Sequence, residues 1–534
     1  MNLHINWLLL INAALGSFLA GTASRIFAVS MPTVASSLET TIVGISWAVI
    51  AYQISQISLS LVFGRIGDIY GRQTLFGLGL VVSAIGALLC GLSQNITQLI
   101  LFRFFHGIGA SMTQSQARAL AMDSLPKESS GKAQGFMTTA FHSGVLIGPS
   151  IGGLIIEYIS WRAVFFFLVP IAMAGVVLTL FNRSKMNTPA HANPSVPTPV
   201  IDYLGAVLLV GTTVVLIAVV DHRIMEGMGR GMQGGLIAGF FVFFFAFLYR
   251  ESSTPSPILD LSLFRIRMFS LSSLSLLLVG VAQVMIGFVL PFYLQDILHL
   301  SPSFMGLLFV SAPVFTVTLS PVVGWATDKV GPRLPATIGI SFLAGAAFLG
   351  SFLRIDSHWT FAVCVLALWG LATAMFFPPN HTAMIASVPE QHRGVATGAI
   401  YVMFGIGSTI GVSLGTVLLT AAFRYYSGDA TVIPTPANRA VFVKSMNFSF
   451  FMGGMMALVA MAWHARPCGG RRRAGDAPLV YLLAGEKELA VCFRMLVQMF
   501  RLRDIHGNHF DVGEFLLDGI GDPFACRDFE EFGG

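Results

Sequence analysis

Several polar and cationic side chains of this sequence stand inside long apolar runs, where a charge is costly and by default marks a functional site. Arg25, Arg103 and His106 are the cationic or titratable ones, and the last two fall one helical turn apart. We expect these three to line a cavity for substrate or protons. The alternatives are that Arg25 snorkels to the outer headgroups and that His106 is a packed residue. Glutamines in the same runs could line that cavity too, or hydrogen-bond between helices: Gln53, Gln56 and Gln114.

Proton binding near neutral pH would fall to histidine, because no Asp or Glu stands well inside an apolar run. His106 is the best placed candidate. If Arg25 and Arg103 faced one cavity, they would favour an anionic or neutral amphipathic cargo, because an anion relieves the desolvation penalty of a buried cation.

No pattern in the sequence indicates an enzyme. The five cysteines show neither CxxC nor paired spacing. We also find no phosphate-binding glycine loop, metal-ligand cluster or nucleophile elbow. We therefore expect a protein without catalytic residues, metal, cofactor or nucleic-acid partner, acting as a monomer.

The elements that carry these side chains are predicted to be membrane-spanning helices. Of the 534 residues, 55% are hydrophobic and only 11% charged, which leaves too little polar surface for a soluble fold. Most Lys and Arg fall in loops on the side of residue 1, which predicts that both termini are cytoplasmic. Fourteen runs have the apolar length of about 20 residues that a span requires: 8–32, 46–64, 74–93, 98–118, 135–156, 163–181, 203–220, 232–249, 270–293, 304–325, 335–353, 358–378, 395–422 and 441–463.

An internal repeat divides these runs into two sets of six. The stretch GRIGDIYGRQ (64–73) follows the second run, and GWATDKVGPR (324–333) follows the tenth; Gly64, Asp68 and Gly71 recur as Gly324, Asp328 and Gly331 at one offset. Such repeats are typical of transporters built from two related halves. The predicted fold is all-α and integral to the membrane, with two pseudo-symmetric six-helix bundles and two extra central helices.

A second repeat consists of small residues at helical spacing. Gly144, Gly148 and Gly152 are matched by a glycine series in the thirteenth run: Gly407, Gly411 and Gly415. Small residues at i, i+4 and i+8 form a flat helix face that another backbone can approach closely. Pro149 removes a backbone hydrogen bond and bends the first of these helices.

With these motifs in place, the chain resembles the major facilitator superfamily, and within it the fourteen-span drug:proton antiporters, from about residue 10 to about residue 464. The motifs stand in the order of the family: GRIGDIYGRQ, RFFHGIGAS (103–111), GVLIGPSIGG (144–153), SWRAVFF (160–166), DLSLFRIRMF (260–269) and FFPPN (376–380). The resemblance implies alternating access. It also implies that an antiporter motif seals the two membrane faces apart; the alternative is ordinary helix packing. The motif comprises Gly144, Gly148, Pro149, Gly152 and Gly153.

The resemblance further implies a gate in the loop after the second run. An aspartate at a helix end can pair with a nearby arginine and with the positive end of a neighbouring helix, while flanking glycines allow a tight turn. The gate residues are Gly64, Asp68, Gly71 and Arg72, with Asp328 and Arg333 as second-half counterparts whose alternative is a solvated loop. The sequence departs from the family at Ile69, where arginine is usual, and at Ala23, where an aspartate is common. The second departure argues against a drug-cation site in the first span.

We expect four parts: a first bundle (1–182), a linker with two extra spans (183–250), a second bundle (251–464) and a cytoplasmic tail (465–534). The predicted function is secondary active export of amphipathic small molecules by proton antiport, in the lipid bilayer of a bacterial inner membrane. One alternative is an exporter of anionic amphiphiles or lipids with weak or no proton coupling. Another is a non-transporting membrane sensor or scaffold that acts through its tail.

Overall fold

The computed structural model describes residues 6–40, 42–185, 202–220, 229–254, 257–300, 302–427 and 438–464. In a bilayer every backbone N–H and C=O must be satisfied within the segment, and apolar runs of this length do so as helices. The long helices of the described residues are α1 Trp7–Ser37, α2 Ile42–Tyr70, α3 Arg72–Leu92, α4 Ile96–Asp123, α5 Ser130–Tyr158, α6 Trp161–Lys185, α7 Tyr203–Val220, α8 Arg230–Ser253, α9 Arg267–Phe292, α10 Pro302–Val330, α11 Arg333–Gly350, α12 Trp359–Ala386, α13 Arg393–Ser427 and α14 Arg439–His464.

Each of the fourteen predicted runs coincides with one of these helices. By length and composition, 12 helices in the described part of the chain are apolar enough to cross a membrane, and a shorter apolar helix covers Tyr203–Val219. The helix outside both groups is α4, whose middle carries the polar sequence TQSQ at residues 113–116. The structure thus supports an all-helical protein with 12 to 14 membrane-capable helices.

The helices pack as two bundles of like design. In the first, α5 packs on α1 and α4 lies between α2 and α3; in the second, α13 packs on α9 and α12 lies between α10 and α11. The bundles meet where α5 contacts α10 and where α2 contacts α13. Equivalent helices therefore build both halves and both contacts between them.

The two extra helices, α7 and α8, pack chiefly on each other. Asp202, directly before α7, binds Arg250 of α8, with Nε 2.9 Å from Oδ2. Burial alone would raise the pKa of Asp202, but the hydrogen bonds from Arg250 and from the backbone of Gly205 outweigh it and hold that pKa below its ordinary value. This ion pair closes the base of the hairpin. The predicted tail, 465–534, lies outside the described residues, as does 186–201 of the predicted linker.

Candidate functional site: the interface between the two halves

Asp68 joins the end of α2 to the first turn of α13 in the opposite half. Its carboxylate accepts hydrogen bonds from the backbone N–H groups of Gly394 (2.9 Å) and Val395 (3.0 Å). The side chain is only 1% exposed. A carboxylate at a helix N-terminus satisfies donors that have no partner within the helix and interacts favourably with the helix dipole. The predicted pairing with a helix end is therefore present, and it crosses between the halves.

A surface network of ion pairs surrounds this contact. Arg72 donates to Asp68 (Nε to Oδ1, 2.9 Å) and to Asp123 at the end of α4 (2.7 Å). Arg393 of the second half binds the other oxygen of Asp123 at 2.7 Å. Arg72 also donates to the backbone carbonyl of Glu390. Asp123 thus ties two arginines from different halves together, although sequence reasoning did not single it out.

Asp328 makes the equivalent contact in the other direction. It lies near the end of α10 in the second half, and its carboxylate accepts from the backbone N–H groups of Gly131 (2.6 Å) and Lys132 (3.0 Å) at the start of α5. This is the pseudo-symmetric counterpart of the Asp68 contact. We call the two together the aspartate latches, and the end of the bundle that they close the latch end.

Glycines let the helix backbones touch at both latches. A methyl group added to Gly64 would overlap the carbonyl oxygen of Gly394, and one added to Gly394 would overlap that of Gly64. Gly131 and Gly324 are related in the same reciprocal way. The turns that follow the aspartates also require glycine, because Gly71 and Gly331 have positive φ angles of 104° and 83°. Arg333 begins α11 and lines a cleft with Pro332, Ala383 and His464.

The antiporter motif places α5 backbone to backbone with α1. A methyl group at Gly144 would overlap the Phe18 carbonyl oxygen, and one at Gly152 would lie 2.8 Å from Cγ1 of Ile26. At Gly148 the contact is looser, with the Thr22 carbonyl oxygen at 3.1 Å. Gly153 has no atom within 4 Å of that position, so it does not contribute to this contact. Pro149 lies inside α5.

The polar residues predicted for a cavity separate into two groups. On α1 and α2, Arg25 and Gln53 are exposed and Gln56 is partly exposed. Gln114 of α4 is buried and forms a side-chain hydrogen bond with Tyr401 of α13. Gln114 therefore connects the halves, and the first three have surface available for a ligand.

Arg103 and His106 form the second group, and here the expectation that Arg25 and Arg103 face one cavity is wrong. Arg103 is 2% exposed, and its guanidinium lies 4.7 Å and 4.3 Å from the ring centres of Phe27 and Tyr52. His106 is also 2% exposed and lies against the Tyr52 ring, with centroids 5.2 Å apart. Aromatic faces attract a cation electrostatically, so Arg103 is enclosed within the first bundle and does not line a space open to cargo.

A further histidine, His142, lies at a contact between the two halves. His142 of α5 is partly exposed and lies 6.5 Å, between ring centres, from Phe377 of α12 in the other half. Phe377 in turn lies 5.4 Å from His381, one turn along α12, and 5.4 Å from Phe404 of α13. These rings form an aromatic contact between the halves away from the latches.

A short repeat in the sequence indicates the helix starts that form the latches. The stretch SGKAQG (130–135) at the start of α5 parallels RGVATG (393–398) at the start of α13. Their second glycines also touch the opposite half, Gly135 at Ser320 and Gly398 at Ser60. This repeat marks the helix starts that receive the two aspartates.

Comparisons with known proteins agree with this architecture. The sequence model of the Major Facilitator Superfamily matches residues 13–282 and 272–467. Multidrug resistance protein Stp of Mycobacterium tuberculosis is 26% identical over 526 residues, covering 95% of this chain and 94% of that protein. Riboflavin transporter RibZ of Clostridioides difficile is 26% identical over 423 residues, covering 78% of this chain and 89% of that protein.

Among solved structures, the fold is similar to that of the human organic anion transporter MFSD10 (TETRAN). The TM-score is 0.59 at 13% identity, over 86% of this chain and 99% of that one. At this level of identity the likeness concerns the fold alone.

Proposed function

The chain belongs to the major facilitator superfamily, and we propose that it is a secondary active exporter of amphipathic small molecules that works by alternating access and proton antiport. The observation that carries this proposal is the pair of aspartate latches, Asp68 and Asp328, each of which binds a helix start of the opposite half. Contacts of this kind, made at one end of two bundles, can break when the bundles rotate about their interface.

The relatives and the topology support the cargo and the membrane that we propose. Stp is named a multidrug resistance protein and RibZ a riboflavin transporter, and both names concern small molecules, which supports a small-molecule cargo for this chain. We assign the chain to the fourteen-span drug:proton antiporters of a bacterial inner membrane, with both termini and the latch end in the cytoplasm. In that orientation the structure is closed toward the cytoplasm.

The test is transport by the purified protein in liposomes. Ethidium, a lipophilic cation, is supplied outside, and the lumen is made acidic. We expect ethidium to accumulate in the lumen while protons leave it. The double variant Asp68→Asn/Asp328→Asn should lower the initial rate of accumulation by about tenfold or more. Asp356→Asn, in an exposed loop, is the matched control. No gradient-driven movement by the wild type would overturn the proposal.

A second candidate is export of anionic amphiphiles, and the observation that favours it is the charge of α1. Arg25 is exposed on α1, whereas Ala23 is buried at 2% exposure where a drug-binding acid would stand. Within the fourteen described helices, every Asp and Glu lies in the last turn. Replacing ethidium by an amphipathic anion in the same assay, with wild type and Arg25→Ala, separates the candidates. Anion movement that collapses in Arg25→Ala favours the second, and cation movement that survives it favours the first.

A further inference from the structure

The aromatic contact between the halves contains two histidines, one from each half. His142 on α5 and His381 on α12 flank the ring of Phe377, whose centre is 6.5 Å from the first imidazole and 5.4 Å from the second. The two imidazoles share Phe377 as a neighbour, so the pair joins the two halves. A change of charge on either ring therefore acts directly on the contact between the bundles.

The hydrogen bond of His142 fixes where a proton can be added. Its Nδ1 lies 3.0 Å from the backbone carbonyl oxygen of Thr138. A carbonyl only accepts, so Nδ1 must carry the hydrogen and Nε2 must hold the lone pair. The side chain is partly exposed, and the lone pair of Nε2 is the position at which this imidazole can accept a proton.

His381 is the buried member of the pair. It is 2% exposed, and neither Nδ1 nor Nε2 has a hydrogen-bond partner in the structure. Leaving a buried imidazole unpaired is destabilising, and such a group in a native protein calls for an explanation. A ring that gains its partner or its proton only after the halves move would provide one.

Among the described residues, the surroundings of the pair contain cations but no carboxylate. The charged groups that reach these two rings, within the described residues, are Arg118 of α4 and Arg25 of α1. Arg118 is itself 5% exposed and donates a hydrogen bond to the side-chain Oε1 of Gln134 at 3.0 Å. Since every Asp and Glu within the fourteen described long helices stands in a last turn, histidine is the residue type that can titrate near neutral pH at this level of the bundle.

The helix that carries His381 is built to bend at this point. Pro378 and Pro379 lie inside α12, between Phe377 and His381. Each proline removes one backbone hydrogen bond and favours a kink. On α5, Pro149 lies two turns after His142. Both histidines are therefore next to the places where their helices can change direction.

We propose that His142 and His381 are the proton-binding pair that couples the pH gradient to movement of the two halves. The inference rests on the proposed function and adds the site of coupling to it. A proton from the outward side binds Nε2 of His142 or a free ring nitrogen of His381, and it leaves to the cytoplasmic water once the halves have rocked. The protonated pair repels a cationic cargo, which gives exchange of cation for proton.

The test separates coupling from transport itself. His142→Gln, His381→Gln and the double variant are placed in liposomes and assayed for ethidium accumulation driven by a pH gradient and for exchange of ethidium without a gradient. We expect gradient-driven accumulation to fall by about tenfold or more, while exchange, which needs cargo binding and rocking but no proton, persists. His358→Gln, at an exposed position before α12, should leave both unchanged.

Gradient-driven accumulation within about twofold of wild type in the double variant would overturn the coupling role. Failure of the wild type to move ethidium at all would instead refute the proposed function, and the coupling role would fall with it. If the glutamine variants lose exchange because their packing is disturbed, the coupling role is tested by proton release on ethidium binding in His142→Asn/His381→Asn. Ethidium binding to the solubilised wild type should release protons into a weakly buffered solution. Equal release by His142→Asn/His381→Asn would contradict the proposal.

Discussion

Asp68 and Asp328 stand in equivalent positions of the two halves, and each carboxylate accepts two backbone hydrogen bonds from the first turn of a helix in the other half. The two contacts run in opposite directions across the interface. Neither half can therefore leave the closed position without exposing both a buried carboxylate and the unpaired N–H groups of a helix start. In the transport cycle that we propose, both contacts would therefore break together.

The two carboxylates that bind Arg72 should differ in their effect on closure. Asp68→Asn removes charge-assisted bonds at a side chain that is 1% exposed, worth about 1.5–3 kcal/mol. Asp123→Asn acts at 29% exposure, where ion pairs contribute about 0–1 kcal/mol. We expect Asp68→Asn to open the latch end markedly and Asp123→Asn only slightly. The rate at which a maleimide labels Ser60→Cys, buried against Gly398, in a variant without its native cysteines measures the opening. If both variants increased the labelling rate equally, burial of the carboxylate would not determine its contribution to closure.

Adding a single methyl group at a latch glycine should prevent closure. Gly394→Ala places Cβ on the Gly64 carbonyl oxygen, which belongs to a helix backbone and cannot turn aside. Overpacking of this kind costs about 1–3 kcal/mol, and it acts only in the closed state. Faster labelling of Ser60→Cys is the expected result. Gly345→Ala on α11, where Cβ meets nothing within 4 Å, is the control and should label at the original rate.

Within the antiporter motif, the space around each glycine predicts whether substitution by alanine lowers transport and stability. Gly144→Ala brings Cβ into the backbone of α1, whereas Gly153→Ala has open space. We expect Gly144→Ala to lower both transport and the temperature of unfolding in detergent, and Gly153→Ala to change neither. If the two variants behave alike, the role of the motif does not lie in the contact of α5 with α1.

Substitution of Arg103 and of Arg25 by lysine should affect thermal stability differently. Arg103→Lys replaces a flat guanidinium between Phe27 and Tyr52 with a compact ammonium that stacks poorly. Buried cation–π contacts are worth about 2 kcal/mol, so the unfolding temperature should fall. Arg25→Lys keeps its charge at an exposed position and should leave that temperature unchanged. If Arg25→Lys lowered the unfolding temperature and Arg103→Lys did not, the result would contradict the enclosed position of Arg103 and the exposed position of Arg25.

The positions of most helices were predictable because a span must be predominantly apolar over about 20 residues, and loops rich in charged residues, Gly and Pro separate the spans. The aspartates of the latches were equally visible, since Asp68 and Asp328 repeat at one offset with their flanking glycines. Their partners were not. Gly394 and Gly131 lie in other helices of the opposite half, and no local pattern states which helix start faces which loop.

The burial of Arg103 shows the main limit of the sequence. In a soluble helix the polar face identifies the outward side, but a span surrounded by lipid and protein is apolar all round and gives no such direction. Arg103 and Arg25 look alike as charges inside apolar runs. Only the packing of Phe27, Tyr52 and Phe165 around one of them distinguishes an enclosed arginine from an exposed one.

The measurement that tests the central claim most directly is the pair of distances across the two ends of the bundle. Spin labels at Glu128 and Gln391 span the latch end, and labels at Gln94 and Asp356 span the opposite end; all four positions are exposed. Double electron–electron resonance in lipid nanodiscs is compared for the unaltered latches and for Asp68→Asn/Asp328→Asn. The account predicts that the double variant lengthens the latch-end distance and shortens the other. Distances that stay constant, or that lengthen together at both ends, would contradict alternating access through these latches.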